Sequence, residues 1–427
     1  MPPKVSIILT SYNRPNFVGK AIESVINQTM KDWELFVMDD SSNHETAKII
    51  QSYLGDNRIY YINSGVKDED RHKTTRYATL INQAISITKG KYLSYLTDDT
   101  VYLPNRLQVM TVYLDKHPSI DIVYSSQKVQ ILNEQLKIVS ERKRNASRVL
   151  KKAANVVDHC SVLHTRRIAE KVFKKYKSYW DDNPECWHNG DAVFWMRLNE
   201  FQPFYPIPHV LDQTVKAPQC FQLLNRFLPN EIPNGTLVKG LSPEIYVIDR
   251  KIRRKLTSEM FKALKYDRSN IVDVTDPLLF KYPLGAEVDQ SALSNPEFFP
   301  NQRLIKGANT NQIYYLENNQ KRLIEPRTFK RFGFKVAEII TVNPDLLSLF
   351  KEGQPIEAVF NPNYLLPDNL VFQIGSGYYL SMENQLHLID MNILRRLNLT
   401  TSKVIQLSQN EANVLNQGAP INWGFQK

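Results

Sequence analysis

The 427-residue chain has little cysteine, no long apolar run and no excess of acids, and each of these absences removes a class of protein. Its three cysteines, Cys160, Cys186 and Cys220, are odd in number and lack zinc-type spacing. Neither a disulfide framework nor a zinc site is therefore expected. No stretch approaches the roughly 18 consecutive apolar residues of a membrane span. Met1 to Lys4 does not open a signal peptide, so a reduced, cytoplasmic location is expected. Acids number 44 against 54 lysines and arginines, a net charge of +10 that admits acidic partners. The clearest basic run, "ERKRNASRVLKK" (141–152), has no interleaved aromatics and matches no nucleic-acid motif. It reads as a solvated loop that could hold an anionic substrate if it lies near an active site, and nucleic acid is not an expected partner.

What is present is a globular composition, 42% hydrophobic and 11% aromatic, at a length that suits two to four domains. The first half alternates strand and helix signals. "KVSIILTSY" is β-branched and nearly continuously apolar, as a strand covered on both faces is. Phe17, Ala21, Ile22, Val25 and Ile26 then recur at helical spacing. "WELFVMDD", "RIYYINS" and "KYLSYLT" read as further strands, separated by helices over "ETAKIIQSYL" and "RYATLINQAISIT". This alternation predicts an α/β domain over 1–230 with a mostly parallel central sheet. Ligands bind beyond the carboxyl ends of such strands, where "TSYNR", "DDSS" and "TDDT" all fall.

The second half repeats itself. Gly240, Gly307 and Gly375 occupy corresponding points 67 and 68 residues apart, and Gly285, Gly353 and Gly418 form a second series. Each segment reads as two short strands around a tight turn such as "ENNQ", then a short helix and another strand. The expectation is a β-rich α+β region of three repeats at 236–300, 303–368 and 370–427, beginning after the Pro- and Gly-interrupted "LPNEIPNG". Its tyrosines, Tyr246, Tyr314, Tyr315, Tyr378 and Tyr379, read first as core residues and second as a glycan-binding set. No acids, His or Cys cluster there with catalytic spacing, so a binding or tethering role toward glycan or a protein partner is expected.

In the first half, "VSIILTSYNRP", "LFVMDDSS", "KGKYLSYLTDD" and "GDAVFWMRL", in that order, resemble family 2 glycosyltransferases of the GT-A fold. Within that family the likeness is to the spore-coat polysaccharide biosynthesis glycosyltransferases of sporulating bacteria. "TTRYATLINQAI", "DHCSVLH", "SYWDDNP" and "FQPFYPIP" extend it over about residues 1 to 230. The resemblance implies a UDP- or TDP-sugar donor and a Mn2+ or Mg2+ cofactor. Hard carboxylate oxygens suit such an ion, which neutralises the diphosphate as the glycosidic bond breaks. By the resemblance Asp99 ligates the metal, and Asp98 assists it or reaches the ribose. Thr10, Tyr12, Asp39 and Arg71 are the nucleotide-binding positions it implies. An Asp39 carboxylate can accept the imino N–H of uracil or thymine, and the Tyr12 ring can pack on the base. Many members carry Arg-Asn where this chain has Ile81-Asn82, so Arg76, on the same helix, reads either as a substitute phosphate-side arginine or as a plain surface residue.

Deprotonation of an acceptor hydroxyl requires a base. Asp191 matches the family's catalytic position, and a helix N-terminus there favours its ionised form. A bare helix cap is the plainer alternative, and Glu185 is a second candidate base. Asp158 and His159 resemble acceptor-side residues, with a structural histidine as the competing account. The Gln-x-x-Arg-Trp motif of processive synthases is absent, since "QLLNRF" has the wrong spacing. Transfer of one sugar to a glycan, protein or other hydroxyl acceptor in cell-surface or spore-coat polysaccharide synthesis is therefore favoured. The alternative is a non-catalytic glycan-binding or scaffold protein that retains the fold.

Overall fold

The computed structural model describes residues 2–399 and 404–423. The third expected repeat, 370–427, thus includes residues 400–403 and 424–427, which lie outside the described residues. Two compact units divide between Cys220 and Phe221. The division falls ahead of the expected end at 230 because Leu228 and Ile232 pack into a core of the second unit.

In the first unit, β1 (Val5–Ser11), β2 (Trp33–Asp39) and β3 (Ile59–Asn63) are parallel, and β1 also pairs in parallel with β4 (Tyr92–Thr97). Helices α1 (Pro15–Ile26), α2 (His44–Gln51) and α3 (Arg76–Ile87) connect them. β1 and β2 are buried along their whole length because both faces are covered. Ile7, Leu9, Leu35 and Val37 pack with Val18, Ile22 and Val25 of α1. Ile8, Phe36 and Met38 turn the other way, onto Ala78, Ile81 and Ile85 of α3. Register sets Thr10 opposite Thr97 and Ser11 opposite Asp39, so the carboxyl ends of three strands are level.

Beyond β4 the expectation of a mostly parallel sheet fails, and the sheet is mixed. The chain reverses through Asp98-Asp99 straight into β5 (Thr100–Tyr102), too short a link for a crossover helix. β6 (Ile122–Leu132), β7 (Ile138–Arg144), β8 (Val162–Thr165) and β9 (Tyr205–Lys216) complete the sheet in the order β3-β2-β1-β4-β8-β6-β9-β5, with β7 on β6. β8 is antiparallel to β4 and β6, and β5 is antiparallel to β9. The basic run is a second correction, since Glu141 to Arg144 belong to β7 and pair with Gln127 to Gln130. The turn before it is made by Asn133, whose side chain accepts from the N–H groups of Gln135 and Lys137. Charges there suit an edge strand as well as a loop, because they block further pairing.

The second unit contains three small sheets of shared design. The first is β10 (Leu237–Lys239), β11 (Ile245–Asp249), β12 (Ile252–Lys255) and β13 (Ile271–Asp273), in the order β12-β11-β10-β13. The second is β14 (Arg303–Gly307), β15 (Ile313–Glu317), β16 (Gln320–Ile324), β17 (Ile340–Val342) and β18 (Lys351–Ile356). Its order is β17-β14-β15-β16-β18, and where β18 lies the other two sheets have, among the described residues, isolated parallel bridges such as Arg253 with Leu284 and Leu386 with Gln417. The third is β19 (Val371–Ile374), β20 (Gly377–Met382), β21 (Gln385–Leu388) and β22 (Ile405–Leu407), ordered β21-β20-β19-β22. Each central hairpin turns through two residues of positive φ: Arg250-Lys251, Asn318-Asn319 and Glu383-Asn384. That is the twist-matched type I′ geometry.

Strand alternation makes these sheets mutually dependent. Leu237 and Val247 face Ile305 and Tyr314 of the second sheet, while Val238 and Ile248 face Val371 and Leu380 of the third. Leu304 and Tyr315 of the second sheet in turn meet Phe372 and Leu386 of the third. Every pair of sheets thus shares one core, and every sheet is covered on both faces. Tyr314 and Tyr315 are buried, and Tyr246, Tyr378 and Tyr379 pack against the cores. The segments entering the three sheets converge at Gly235, Gln302 and Asn369, all of positive φ. A Cβ on Gly235 would lie 2.9 Å from Gln302 Cβ and 3.0 Å from Asn369 Nδ2. Gly235→Ala is accordingly expected to destabilise the second unit by about 1–3 kcal/mol through crowding alone. Chemical denaturation of the full chain, followed by tryptophan and far-UV signals, measures this, and an unchanged midpoint refutes the convergence.

Candidate active site

The level strand ends bring four carboxylates, Asp39, Asp40, Asp98 and Asp99, to one edge of the first sheet. Each is met by different donors. Asp39 is fully buried, and its Oδ2 accepts from Tyr61 Oη (2.8 Å) and Asn63 Nδ2 (3.2 Å). Its Oδ1 accepts from the N–H of Ser42, while Asn43 caps α2 by accepting from the N–H of Thr46. Asp40 takes two arginines. Arg71 Nη1 donates to its Oδ2 and Arg76 Nη2 to its Oδ1, both at 2.7 Å. Removing a partner from such a buried pair costs about 3–5 kcal/mol.

Arg71 is only 2% exposed and is saturated, since it also reaches the carbonyls of Asp40 and Ser41 and the carboxylate of Asp68. Its guanidinium lies 4.1 Å from the centre of the Tyr12 ring. Arg71 therefore holds Tyr12 and the Asp40 turn in place, and Arg76 works beside it rather than as a plain surface residue. Asn82 is a different case. It donates to the carbonyl of Trp180 and accepts from its N–H, so its amide is committed to clamping that backbone.

Asp98 and Asp99 are adjacent but point their oxygens at different partners. Asp98 Oδ2 accepts from the N–H of Tyr12 at 3.1 Å, tying the β1 and β4 strand ends together. Asp99 Oδ1 accepts from Thr97 Oγ1 at 2.6 Å, and its carbonyl accepts from the N–H of Val215 on β9. Burial pushes the Asp98 carboxyl up to about 7, with the charge of Asp99 adding to it and Arg14 opposing. Among the described residues no three His, Cys, Asp or Glu side chains form a ready-made metal cage. A pair of crowded carboxylates nevertheless fits a hard divalent cation, which commonly takes one or two of them plus substrate phosphate oxygens.

Asp191 stands at the start of the helix Gly190–Asn199, with His159 Nδ1 4.0 Å from its Oδ2. His159 is 18% exposed and Asp191 29%, so neither is a closed-off core residue. The helix N-terminus does not decide the charge of Asp191 as expected. Desolvation, reinforced by Asp158, raises its pKa against the lowering effects of His159 and the N–H of Ala192. Tyr77 supports this corner, accepting from the N–H of Gly190 at 3.0 Å. A Cβ at position 190 would lie 2.6 Å from the Tyr77 hydroxyl, so a side chain there would force Tyr77 to move. Tyr77 and Trp180 lie around the His159 ring at centroid distances of 6.5 and 5.9 Å. Glu185 is exposed in a short turn at Pro184–Cys186.

Asp158 joins this corner to the basic strand. Burial opposes its charge, yet Lys216, His159 and Arg144 outweigh that and hold the carboxyl well below the usual range. Arg144 Nη1 donates to Asp158 Oδ2 at 2.7 Å. Lys216, at the end of β9, is kept protonated by Asp99 and Asp158 despite desolvation. Tyr77, Arg144 and Lys216 were not candidates in the sequence. Their place follows from pairing over long separations, for which no local motif exists. Thr10, almost buried, ends the set on β1.

The glycosyl transferase family 2 model matches residues 6–176, the segment that supplies both strand-end carboxylate pairs and the Asp158-His159 corner. Protein CgeD of Bacillus subtilis is 42% identical over 402 residues, covering 93% of this chain and 91% of CgeD. An uncharacterized glycosyltransferase of Methanocaldococcus jannaschii is 29% identical over 221 residues, covering 48% of this chain and 72% of its own. Staphylococcus aureus TarS has a TM-score of 0.39 at 12% identity, covering 52% of this chain and 38% of TarS. With the carboxylate-lined end of its sheet inside the matched segment and a relative spanning nearly its full length, this chain belongs to glycosyl transferase family 2 and is a glycosyltransferase.

Proposed function

We propose that the first unit moves one sugar from a UDP- or TDP-sugar to a hydroxyl acceptor with inversion at the anomeric carbon, using Asp191 as the base. The observation that carries this reading is the state of Asp191, a partly exposed carboxylate whose proton affinity is raised by its surroundings. A raised pKa makes the ionised carboxylate a better proton acceptor. Asp191 takes the acceptor proton as the acceptor oxygen attacks the anomeric carbon. The new C–O bond forms opposite the breaking bond to the diphosphate, which leaves with the electron pair.

On the donor side, Tyr12, whose ring orientation Arg71 supports, packs on the base, and Asp39 uses a remaining lone pair for the imino N–H. Thr10 lines the same strand end. Asp99, with Asp98, would hold Mn2+ or Mg2+. That ion, when bound, supplies neutralising charge to the departing diphosphate. Asp158 and His159 border the acceptor side. The second unit, read as three repeats, serves as a glycan- or protein-binding tether. Participation in cell-surface or spore-coat polysaccharide synthesis rests on the sequence resemblance.

Asp191→Asn is expected to lower kcat by about 10²–10⁴-fold with nucleotide affinity unchanged. Full transfer activity in that variant would remove Asp191 from the mechanism. The base must be ionised, so activity is present above its pKa and lost as pH falls through it. The acid limb of kcat/KM should therefore lie above the roughly 3.9 of free aspartate. Asp158→Asn removes a raising charge and should move that limb to lower pH, whereas His159→Gln should move it higher; the reverse order contradicts the assignment. For the cation, thermal stabilisation by UDP or TDP should depend on Mn2+ and vanish with EDTA or in Asp99→Asn. Equal shifts with and without EDTA would rule the site out.

A further inference from the structure

The β6–β7 hairpin carries charge that transfer from a nucleotide sugar does not itself require. Between residues 137 and 152 lie seven basic residues and one acid, Glu141, which is already paired with Lys128. Register and two-residue alternation sort the strand cations onto two faces. Arg142 lies opposite Val129 and Arg144 opposite Gln127 on β6, and these in turn face Thr214 and Asp212 on β9. Lys216 continues that same face, and Thr214 pairs with Thr100, the residue after Asp99. Lys143, opposite Lys128, lies on the other face.

The inner end of the first face is anchored in the acceptor corner, because Arg144 holds Asp158, the neighbour of His159. Arg142 is about 7 Å further out along the strand, is exposed, and has no ion pair among the described residues. Edge protection alone would not require the cations to be continuous with the site on one face.

We propose that this face of the β6–β7 hairpin is an acceptor subsite for a glycan chain bearing phosphate or carboxylate groups, with Arg142 as the outer contact. The inference rests on Asp191 marking the acceptor side. An anionic group binds Arg142 while the acceptor hydroxyl reaches Asp191, and Arg144 keeps Asp158 and the hairpin in register.

The test is fluorescence-polarisation binding of the full chain to labelled oligogalacturonate and to labelled poly(glycerol phosphate), in EDTA and without donor. Neutral dextran and a single-stranded RNA of similar length serve as comparators. Arg142→Ser should weaken the preferred anionic probe about tenfold, the loss of one charge-assisted contact. Lys143→Ser, which removes the same charge from the opposite face, should change it less than about twofold. The probe that binds more tightly identifies the anionic group, and dextran should not bind. Equal losses in the two variants, failure of both anionic probes, or tighter binding of RNA than of either would overturn the proposal. Because neither donor nor metal is present, a failure of Asp191 as the base leaves this measurement independent.

Discussion

Four carboxylates at the carboxyl ends of the parallel strands of a mixed sheet are the condition on which the first unit is built. Parallel strands in level register deliver their last residues to one edge, and here those residues are largely acidic. Left alone, they would repel each other in a poorly hydrated crevice. The structure assigns each a separate set of partners: phenol, amide and backbone N–H for Asp39, two guanidinium groups for Asp40, backbone N–H for Asp98, and hydroxyls for Asp99. Arg71 and Arg76 are therefore spent on Asp40, and Asp98 and Asp99 are left without comparable compensation. Burial, with the charge of Asp99 adding to it, raises the Asp98 pKa, and a corner that disfavours its carboxylate charge in this way suits an external cation.

The corner around Asp191 and His159 is organised by another acid, Asp158. It accepts from Arg144 of β7, caps the turn at Cys160, and adjoins both Lys216 and His159. One buried carboxylate thus couples the basic hairpin, the end of β9 and the environment of Asp191. The same charge adds to the raised proton affinity of Asp191, so structural anchoring and the electrostatics of Asp191 are not separable here.

The strands, helices and strand-end acids of the first half were legible because both the two-residue and the helical periodicities are local. Asp98 and Asp99 could be found for the same reason, as a pair ending an apolar run. The charged β7 was not legible as a strand, because edge strands and loops share polar composition and only pairing with Gln127 to Gln130 separates them. Nor could the commitment of Arg71 to Asp40, or of Asn82 to Trp180, be seen, since the partners are far apart in sequence.

The closed packing of the three small sheets has a consequence for how the chain is made. Two of its three shared cores need strands between Val371 and Leu407, so neither can form until those residues have left the ribosome. The chain from Ile356 to Leu407 takes roughly 3–10 s to synthesise at typical rates. During that interval Leu304, Tyr315, Val238 and Ile248 lack the surface that finally covers them. An arrangement of this kind cannot be lengthened or shortened by one sheet, as a linear stack of repeats can, without opening two faces at once. Its number of sheets is therefore set by closure.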